Sequence, residues 1–139
     1  MSKEEGQNLQ FANGQVIKLK IYSVGAYIGA IWEGFAHMLL VAGSDSADGV
    51  NFTVTVVDPT ANQIALNYEG YVFVYPGSNK IFLGQDSIDD TCKFTVTNLG
   101  NNNITLLSTN GQYVTDSFGT FSTMPGQENA TVFTVEPVA

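Results

Sequence analysis

The sequence predicts an all-β protein built from twelve short strands, in three repeats of four strands each. A Phe-Thr-Val triplet occurs three times at a spacing of roughly forty residues, which is a repeat signal. An aliphatic pair, a glycine-tyrosine element and a further apolar run precede each triplet in that order. Each segment is short, alternating or β-branched, and lies between Gly, Asn, Asp or Pro residues, as strands separated by turns do.

The four recurring features occupy matching places in the three repeats. They are residues 17–19, 64–66 and 104–106 for the aliphatic pair; Tyr27, Tyr71 and Tyr113 for the glycine-tyrosine element; residues 38–41, 81–83 and 121–124 for the apolar run; and Phe52, Phe94 and Phe133 for the first residue of the triplet. Because four ordered features occur in triplicate, we expect one domain over 1–139, with an N-terminal extension at 1–12 and repeats at approximately 15–60, 61–101 and 102–138.

Residues 24–43, "VGAYIGAIWEGFAHMLLVAG", are apolar and long enough to suggest a membrane helix. Internal glycines disfavour a helix, however, and no cationic flank would anchor it. The repeats divide the segment instead into a second strand at 25–31 and a third strand at 38–41, in which Leu40 aligns with Leu83. The intervening "WEGFAH", residues 32–37, is then the predicted turn.

The composition excludes several classes of partner. The chain carries five Lys or Arg against thirteen Asp or Glu, for a net charge of −8. Nucleic acids and anionic membranes require clustered cations, so we expect neither as a partner. The N-terminal "MSKEEGQNLQ" lacks the apolar core of a signal peptide, which predicts a cytoplasmic protein and leaves non-classical release open.

The sequence offers little for catalysis, and we expect no enzyme and no cofactor. A single cysteine, Cys92, and a single histidine, His37, exclude an internal disulfide, a multi-cysteine metal site and a two-histidine metal site. A nucleophilic pair would have to join these two residues. Cys92 stands at the mouth of a predicted strand, where a small, inert core residue is expected.

Acidic residues cluster between the third and fourth strands of each repeat. They are Asp45, Asp48, Asp86, Asp89, Asp90 and Glu128. Carboxylates at close spacing suit hard cations such as calcium. Their spacing matches no known calcium loop, so a solvated acidic rim without metal is the expectation.

The run "NLGNNNITLLSTNGQYV", residues 98–114, resembles the repeats of fascin-like and hisactophilin-like β-trefoils, and the likeness extends over 16–138. The resemblance implies six hairpins that form a short barrel and a triangular cap around a pseudo-threefold axis. Its motifs are core positions, so it implies a fold, and function must be sought in the loops.

The turn between the second and third strands differs most among the repeats. Repeats two and three have the polar stretches "YPGSNK" and "DSFGT", whereas "WEGF" in repeat one has no counterpart. Trp32 and Phe35 either fold back onto the barrel rim or form an exposed apolar contact for a protein partner.

In length, acidity and repeat pattern the chain is similar to the cocaprins, which with the mycocypins are fungal β-trefoil protease inhibitors associated with defence. The resemblance implies steric occlusion of papain-like cysteine proteases by the loop between the second and third strands, and inhibition of pepsin-like aspartic proteases by another surface. The loop carried over to this chain consists of Ile31, Trp32, Glu33, Gly34 and Phe35. Gly34 would let it turn tightly.

Two other functions stay open. A carbohydrate-binding trefoil lectin could stack sugars on aromatic residues, although the Gln-x-Trp motif of ricin-type lectins is absent; the candidates are Trp32, Tyr68, Tyr75 and Phe118. A fascin-like actin-binding module would rely on a basic surface, which this chain lacks. Whether the chain forms a homodimer is also left open.

Overall fold

The structure is a computed structural model that describes residues 10–33, 36–117 and 119–138; for residues 32, 33, 36, 37 and 40 it describes the backbone only. The described residues form twelve strands and three single-turn 3-10 helices. The strands are β1 (Val16–Ile21), β2 (Ile28–Glu33), β3 (Ala36–Val41), β4 (Phe52–Asp58), β5 (Gln63–Asn67), β6 (Tyr71–Val74), β7 (Ile81–Gln85), β8 (Phe94–Gly100), β9 (Asn103–Ser108), β10 (Tyr113–Ser117), β11 (Thr120–Met124) and β12 (Phe133–Pro137).

Six strands close into a barrel and six form a cap. Antiparallel pairing runs from β1 to β4, β5, β8, β9 and β12 and back to β1, so the barrel has no open edge. The hairpins β2–β3, β6–β7 and β10–β11 form the cap. They meet at three similar contacts: Met38 pairs with Phe82, Lys80 with Ser122, and Thr120 with Leu40. This is the predicted β-trefoil of three four-stranded repeats with pseudo-threefold symmetry.

Each of the three repeats contributes equivalent residues to the core. Alternation along each barrel strand sends every second side chain inward, as in β1, whose burial alternates along its whole length. Four residues from each repeat surround the centre of the molecule: Leu19, Ile28, Leu39 and Phe52; Leu66, Val72, Ile81 and Phe94; Leu106, Val114, Phe121 and Phe133. All twelve are buried, so the aliphatic and triplet motifs are core positions as predicted. Of the three motif tyrosines only Tyr27 is buried; Tyr71 and Tyr113 are half-buried, and the residues that follow them, Val72 and Val114, lie in the core instead.

The first cap hairpin is longer and more regular than the sequence predicts. Its strands continue to Glu33 and resume at Ala36, with Trp32 paired with His37 and Glu33 paired with Ala36. The predicted six-residue turn at 32–37 is wrong because backbone pairing continues through Trp32 and His37. The second strand also begins at Ile28 rather than at residue 25.

The predicted alignment of Leu40 with Leu83 is wrong by one residue. Ile28 pairs with Val41, and Val72, its equivalent in the second repeat, pairs with Leu83. Val41 is therefore the counterpart of Leu83. A shift of one residue matters because it exchanges the two faces of a strand.

None of the described segments forms a helix of the length and apolar character needed to cross a membrane.

Candidate functional site

The predicted protease-binding residues fall on one arm and the tip of the β2–β3 hairpin. Ile31 lies in β2 with its side chain 46% exposed. Trp32 and Glu33 continue the same strand, and their backbones pair with those of His37 and Ala36. The side chains of Trp32 and Glu33 lie outside the described residues, as do Gly34 and Phe35 altogether. Three of the five predicted residues, Ile31, Trp32 and Glu33, thus lie in strand β2.

Apolar side chains cross four strands of the cap in one row beside this hairpin. Ile31 on β2 stands opposite Met38 on β3, Met38 opposite Phe82 on β7, and Phe82 opposite Phe73 on β6. Residues directly opposite each other in an antiparallel sheet share a face and pack side by side. The rings of Phe73 and Phe82 lie 6.2 Å apart, and Tyr75 packs edge-on against Phe82 at 5.9 Å. We refer to Ile31, Met38, Phe73, Tyr75 and Phe82 as the cap row.

The cap row faces solvent. The residues next to it along the strands, such as Leu39, Ile81 and Val72, are buried in the core, and alternation places their neighbours on the opposite side. Tyr75, like Ile31, is exposed, at 53%, and the remaining three residues are half-buried. The row is therefore an outward apolar surface on top of the apolar core.

The third hairpin shows that the fold does not require this surface to be apolar. The three contacts between hairpins define two sets of equivalent cap residues. The residues paired with them across each hairpin define two further sets. The equivalent sets are Met38, Lys80 and Thr120; Leu40, Phe82 and Ser122; Gly29, Phe73 and Thr115; and Ile31, Tyr75 and Ser117. All four positions of the third hairpin are Ser or Thr. In the first two hairpins these positions are apolar except for Lys80 and Gly29, whereas the third hairpin has hydroxyl side chains at all four.

Sequence reasoning missed Met38, Phe73 and Phe82 as members of a site. The predicted strands include Met38 and Phe82 without regard to their face, and Phe73 lies outside the predicted segments. The available signal was the alternation in "VFVY" and "KIFLG", where the aliphatic positions match core positions of the sister repeats and the aromatic ones do not.

Cys92 has no features of a catalytic thiol. Its side chain is fully buried, and Sγ lies 3.7 Å from the carbonyl oxygen of Ser87 and 3.7 Å from Oδ1 of Asp89. Burial raises the pKa of the Cys92 thiol, whereas reactive cysteines have a lowered pKa and are accessible. The expectation of a buried core cysteine is confirmed. The side chain of His37, its only conceivable partner, is not among those described.

The acidic loops have a structural explanation. The three 3-10 turns (Ser46–Asp48, Asp90–Cys92 and Gln127–Asn129) lie at equivalent places before β4, β8 and β12. Asp45 accepts a hydrogen bond from the amide of Ala47, and Asp89 accepts one from the amide of Thr91. The Thr91 hydroxyl also donates to Asp89 and is the main cause of the lowered pKa of that carboxyl. Within the described parts of the chain, no group of three or more His, Cys, Asp or Glu could hold a metal.

A polar cluster that sequence reasoning missed joins the first and last strands of the barrel. The Tyr27 hydroxyl donates to Oε1 of Glu136 at 2.7 Å, and Lys20 Nζ lies 3.2 Å from Oε2 of Glu136. The hydrogen bond from Tyr27 lowers the pKa of Glu136 and, in return, raises the pKa of Tyr27. Each of the three side chains bonds to another member of the cluster, and none resembles an activated base or nucleophile. We therefore assign the cluster a structural role, which is to link the first and third repeats.

No family model and no curated protein matches the chain. Solved structures do match it at low identity. They include lysenin in complex with phosphocholine (TM-score 0.73, 11% identity, 97% of this chain and 48% of that chain), Cry35Ab1 (0.74, 13%, 93% and 37%) and ThreeFoil, a designed threefold-symmetric protein (0.71, 11%, 88% and 99%). The chain spans about half the length of the lysenin chain and less of Cry35Ab1. At these identities the likeness shows the fold alone, and it agrees with the β-trefoil.

Proposed function

We propose that this chain is a non-enzymatic binding protein that docks a protein partner on the cap row and the adjoining tip of the β2–β3 hairpin. The observation that carries the proposal is the contrast among the three hairpins. Half-buried or exposed apolar residues occupy most of the outward positions in the first two hairpins, and Ser and Thr occupy all four equivalent positions of the third. A contiguous apolar patch on a soluble domain is typical of a contact surface, and Met and aromatic residues are enriched in such contacts.

We propose further that the partner is a papain-like cysteine protease whose active-site cleft is blocked by the hairpin. The described end of the hairpin is narrow, because the strands still pair at Glu33 and Ala36 and paired strands stand only about 5 Å apart. Six consecutive register pairs, from Ile28 with Val41 to Glu33 with Ala36, hold the hairpin together. A preformed element of this kind loses little conformational entropy on binding. The cap row would then rest against the surface beside the cleft.

The pairing within the hairpin explains why a bound protease would not cleave it. Peptide substrates lie extended in protease clefts, with their backbone groups available to the enzyme. The backbone groups of β2 already bond to those of β3, and β3 in turn pairs with β7 and β11. Extending the tip into a substrate conformation would require several of these bonds to break together.

The test is a parallel inhibition assay against papain and pepsin. The key variant is Met38→Thr with Phe82→Ser, which gives these positions the residues of the third hairpin. We expect inhibition of papain by the native chain and a rise of at least about tenfold in the inhibition constant of the double variant, equivalent to about 1.4 kcal/mol. Trp32→Ala with Phe35→Ala tests the tip in the same assay.

The matched control is Val24→Ser, which removes an exposed apolar side chain from the β1–β2 turn, outside the cap row. Its inhibition constant should equal that of the native chain. Inhibition of pepsin alone would overturn the cysteine-protease target. If neither enzyme is inhibited, or if the double variant inhibits as well as the native chain, the proposal fails.

A further inference from the structure

A cleft lies at the end of the barrel away from the cap. Strand β4 leads from the cap side to the β4–β5 turn, and the cleft of about 260 Å³ opens beside that turn. Its polar lining consists of four carboxamides: Gln10, Asn62, Gln63 and Asn98. Phe11, Pro59 and two aliphatic residues of β4 and β5 supply the apolar part. Nothing in the proposed protease contact uses this surface.

Among the described residues, the lining contains no ionisable side chain. A phosphate, a carboxylate or a cation would therefore find no charge to compensate the loss of its hydration. The nearest carboxylate along the chain, Asp58, accepts hydrogen bonds from the amide and hydroxyl of Thr60 and the amide of Ala61. These bonds hold the β4–β5 turn and engage Asp58 within it. The cleft thus favours a neutral ligand.

Two of the carboxamides, those of Asn62 and Gln63, have donor or acceptor groups that bond to none of the described residues. Asn62 donates through Nδ2 to the carbonyl of Val96 at 3.0 Å, and this bond orients its amide. Within the described ranges, its Oδ1 and the whole carboxamide of Gln63 have no partner. In the third repeat the position equivalent to Gln63 is Asn103, which already accepts a hydrogen bond from Thr134 at 2.6 Å. The second repeat leaves the corresponding group available for a ligand.

Size and lining together point to one chemical class. At about 30 Å³ per water the cleft holds roughly eight or nine waters, which is the scale of a single sugar ring with its hydroxyls. Ligand sites combine apolar surface with a few convergent polar groups. A sugar ring matches this lining because its C–H face packs on an aromatic ring while its hydroxyls pair with amides.

We propose that this cleft binds a neutral monosaccharide unit. The Gln63 carboxamide contacts the sugar directly, and the Asn62 carboxamide, held in place by its bond to Val96, accepts a hydrogen bond from it. The site is independent of the cap row, so one protein would carry two separate binding surfaces. The sequence left sugar binding open on aromatic residues; this site rests mainly on amides and involves none of the four aromatic candidates considered there.

The experiment is saturation-transfer difference NMR on the full chain with glucose, galactose, mannose and N-acetylglucosamine, followed by titration of any sugar that responds. We expect a response from at least one sugar. Gln63→Ala should weaken its binding by at least about fivefold without changing the thermal midpoint, because the native carboxamide bonds to no described residue. Gln127→Ala, an exposed glutamine on the third 3-10 turn, is the matched control and should bind as the native chain does.

No response from any of the four sugars, or equal affinity in the native chain and Gln63→Ala, would overturn the proposal. The anionic methyl sialoside serves as the charge control, and binding as tight as that of the neutral sugar would contradict a neutral site. The protease assay tests the cap, at the opposite end of the molecule. Gln63→Ala should leave protease inhibition unchanged, so each proposal can fail without the other.

Discussion

The inner and outer faces of the cap differ in how closely the three repeats agree. On the inner face, Leu39, Ile81 and Phe121 occupy equivalent positions and are all buried. On the outer face, one residue further along each strand, the first two hairpins have Leu40 and Phe82 where the third has Ser122. Packing constrains the inner positions, because every repeat must close the same barrel.

The outer face is free of that constraint, which is why its apolar residues are informative. Ser or Thr at these positions in the third hairpin shows that the fold itself does not require apolar side chains there. The apolar residues at two hairpins out of three are therefore the basis of the proposed contact with a protein partner.

Substitutions on the two faces of the cap test whether only the inner face stabilises the fold. Phe121→Ala should lower the free energy of unfolding by about 3–5 kcal/mol, because it opens a cavity in the core. Met38→Thr with Phe82→Ser should change it by less than about 1 kcal/mol, since outward positions tolerate such replacements. Urea unfolding followed by circular dichroism measures both. A loss of similar size in the double variant would show that the cap row belongs to the core.

A smaller loss of stability is expected from Gly70→Ala, a substitution just before β6 in the second repeat. Gly70 has φ +121°, and a Cβ there would collide with the backbone of Gly84, lying 2.8 Å from its carbonyl carbon. The equivalent positions in the first and third repeats carry Ala26 and Gln112. Gly70→Ala should therefore cost more than the roughly 1–2 kcal/mol of left-handed strain alone.

Gly77→Ala is the matched control for this prediction. Gly77 has φ +87°, but a Cβ there would meet open space. It should show the backbone strain without the collision, and thermal unfolding should rank the two variants accordingly. Equal midpoints would mean that the approach of Gly70 to Gly84 does not constrain the second repeat.

The smallest expected effect concerns pH and the polar periphery, where the repeats also diverge. The Tyr27 hydroxyl lowers the pKa of Glu136 from its ordinary 4.5, and the Thr91 hydroxyl lowers the pKa of Asp89 from 3.8. A lowered pKa in the folded state stabilises the protein above the unfolded pKa, and this stabilisation disappears as the pH falls through the folded value.

Stability should therefore decline as the pH drops below about 4.5. Glu136→Gln should flatten the upper part of the decline, because the variant has no carboxyl to protonate there. Urea midpoints measured from neutral pH to about pH 3 would show this. If the native and Glu136→Gln curves run parallel over that range, the link from Tyr27 to Glu136 does not contribute. Gln127→Ala, at an exposed glutamine on the third 3-10 turn, is the control and should follow the native curve.

Much of the fold could be predicted because its signals are local and repeated. Phe52, Phe94 and Phe133 are fully buried or nearly so, as the triplet motif predicts, and Cys92 is buried as well. The β2–β3 turn was harder to predict. "WEGFAH" contains a glycine and charged or polar residues, as turns do, yet its outer residues pair as strands. Pairing partners across a hairpin override local composition.

The candidate site was only half predictable for a related reason. Ile31 stood out in the sequence because it borders a stretch without counterpart in the other repeats. Phe73 and Phe82 join Ile31 only because β3 pairs with β7, more than forty residues away in the chain. The cleft likewise joins Gln10 to Asn62 and Asn98, which no local pattern connects.

The strand count, the threefold repetition and most of the core residues follow from the sequence, because apolar alternation is a local pattern that each repeat shows again. The tertiary structure decided which outward side chains become neighbours, where the hairpin turns and where a cleft opens. Those features depend on contacts between distant strands, and a change of one residue in register is enough to turn a face toward solvent or toward the core.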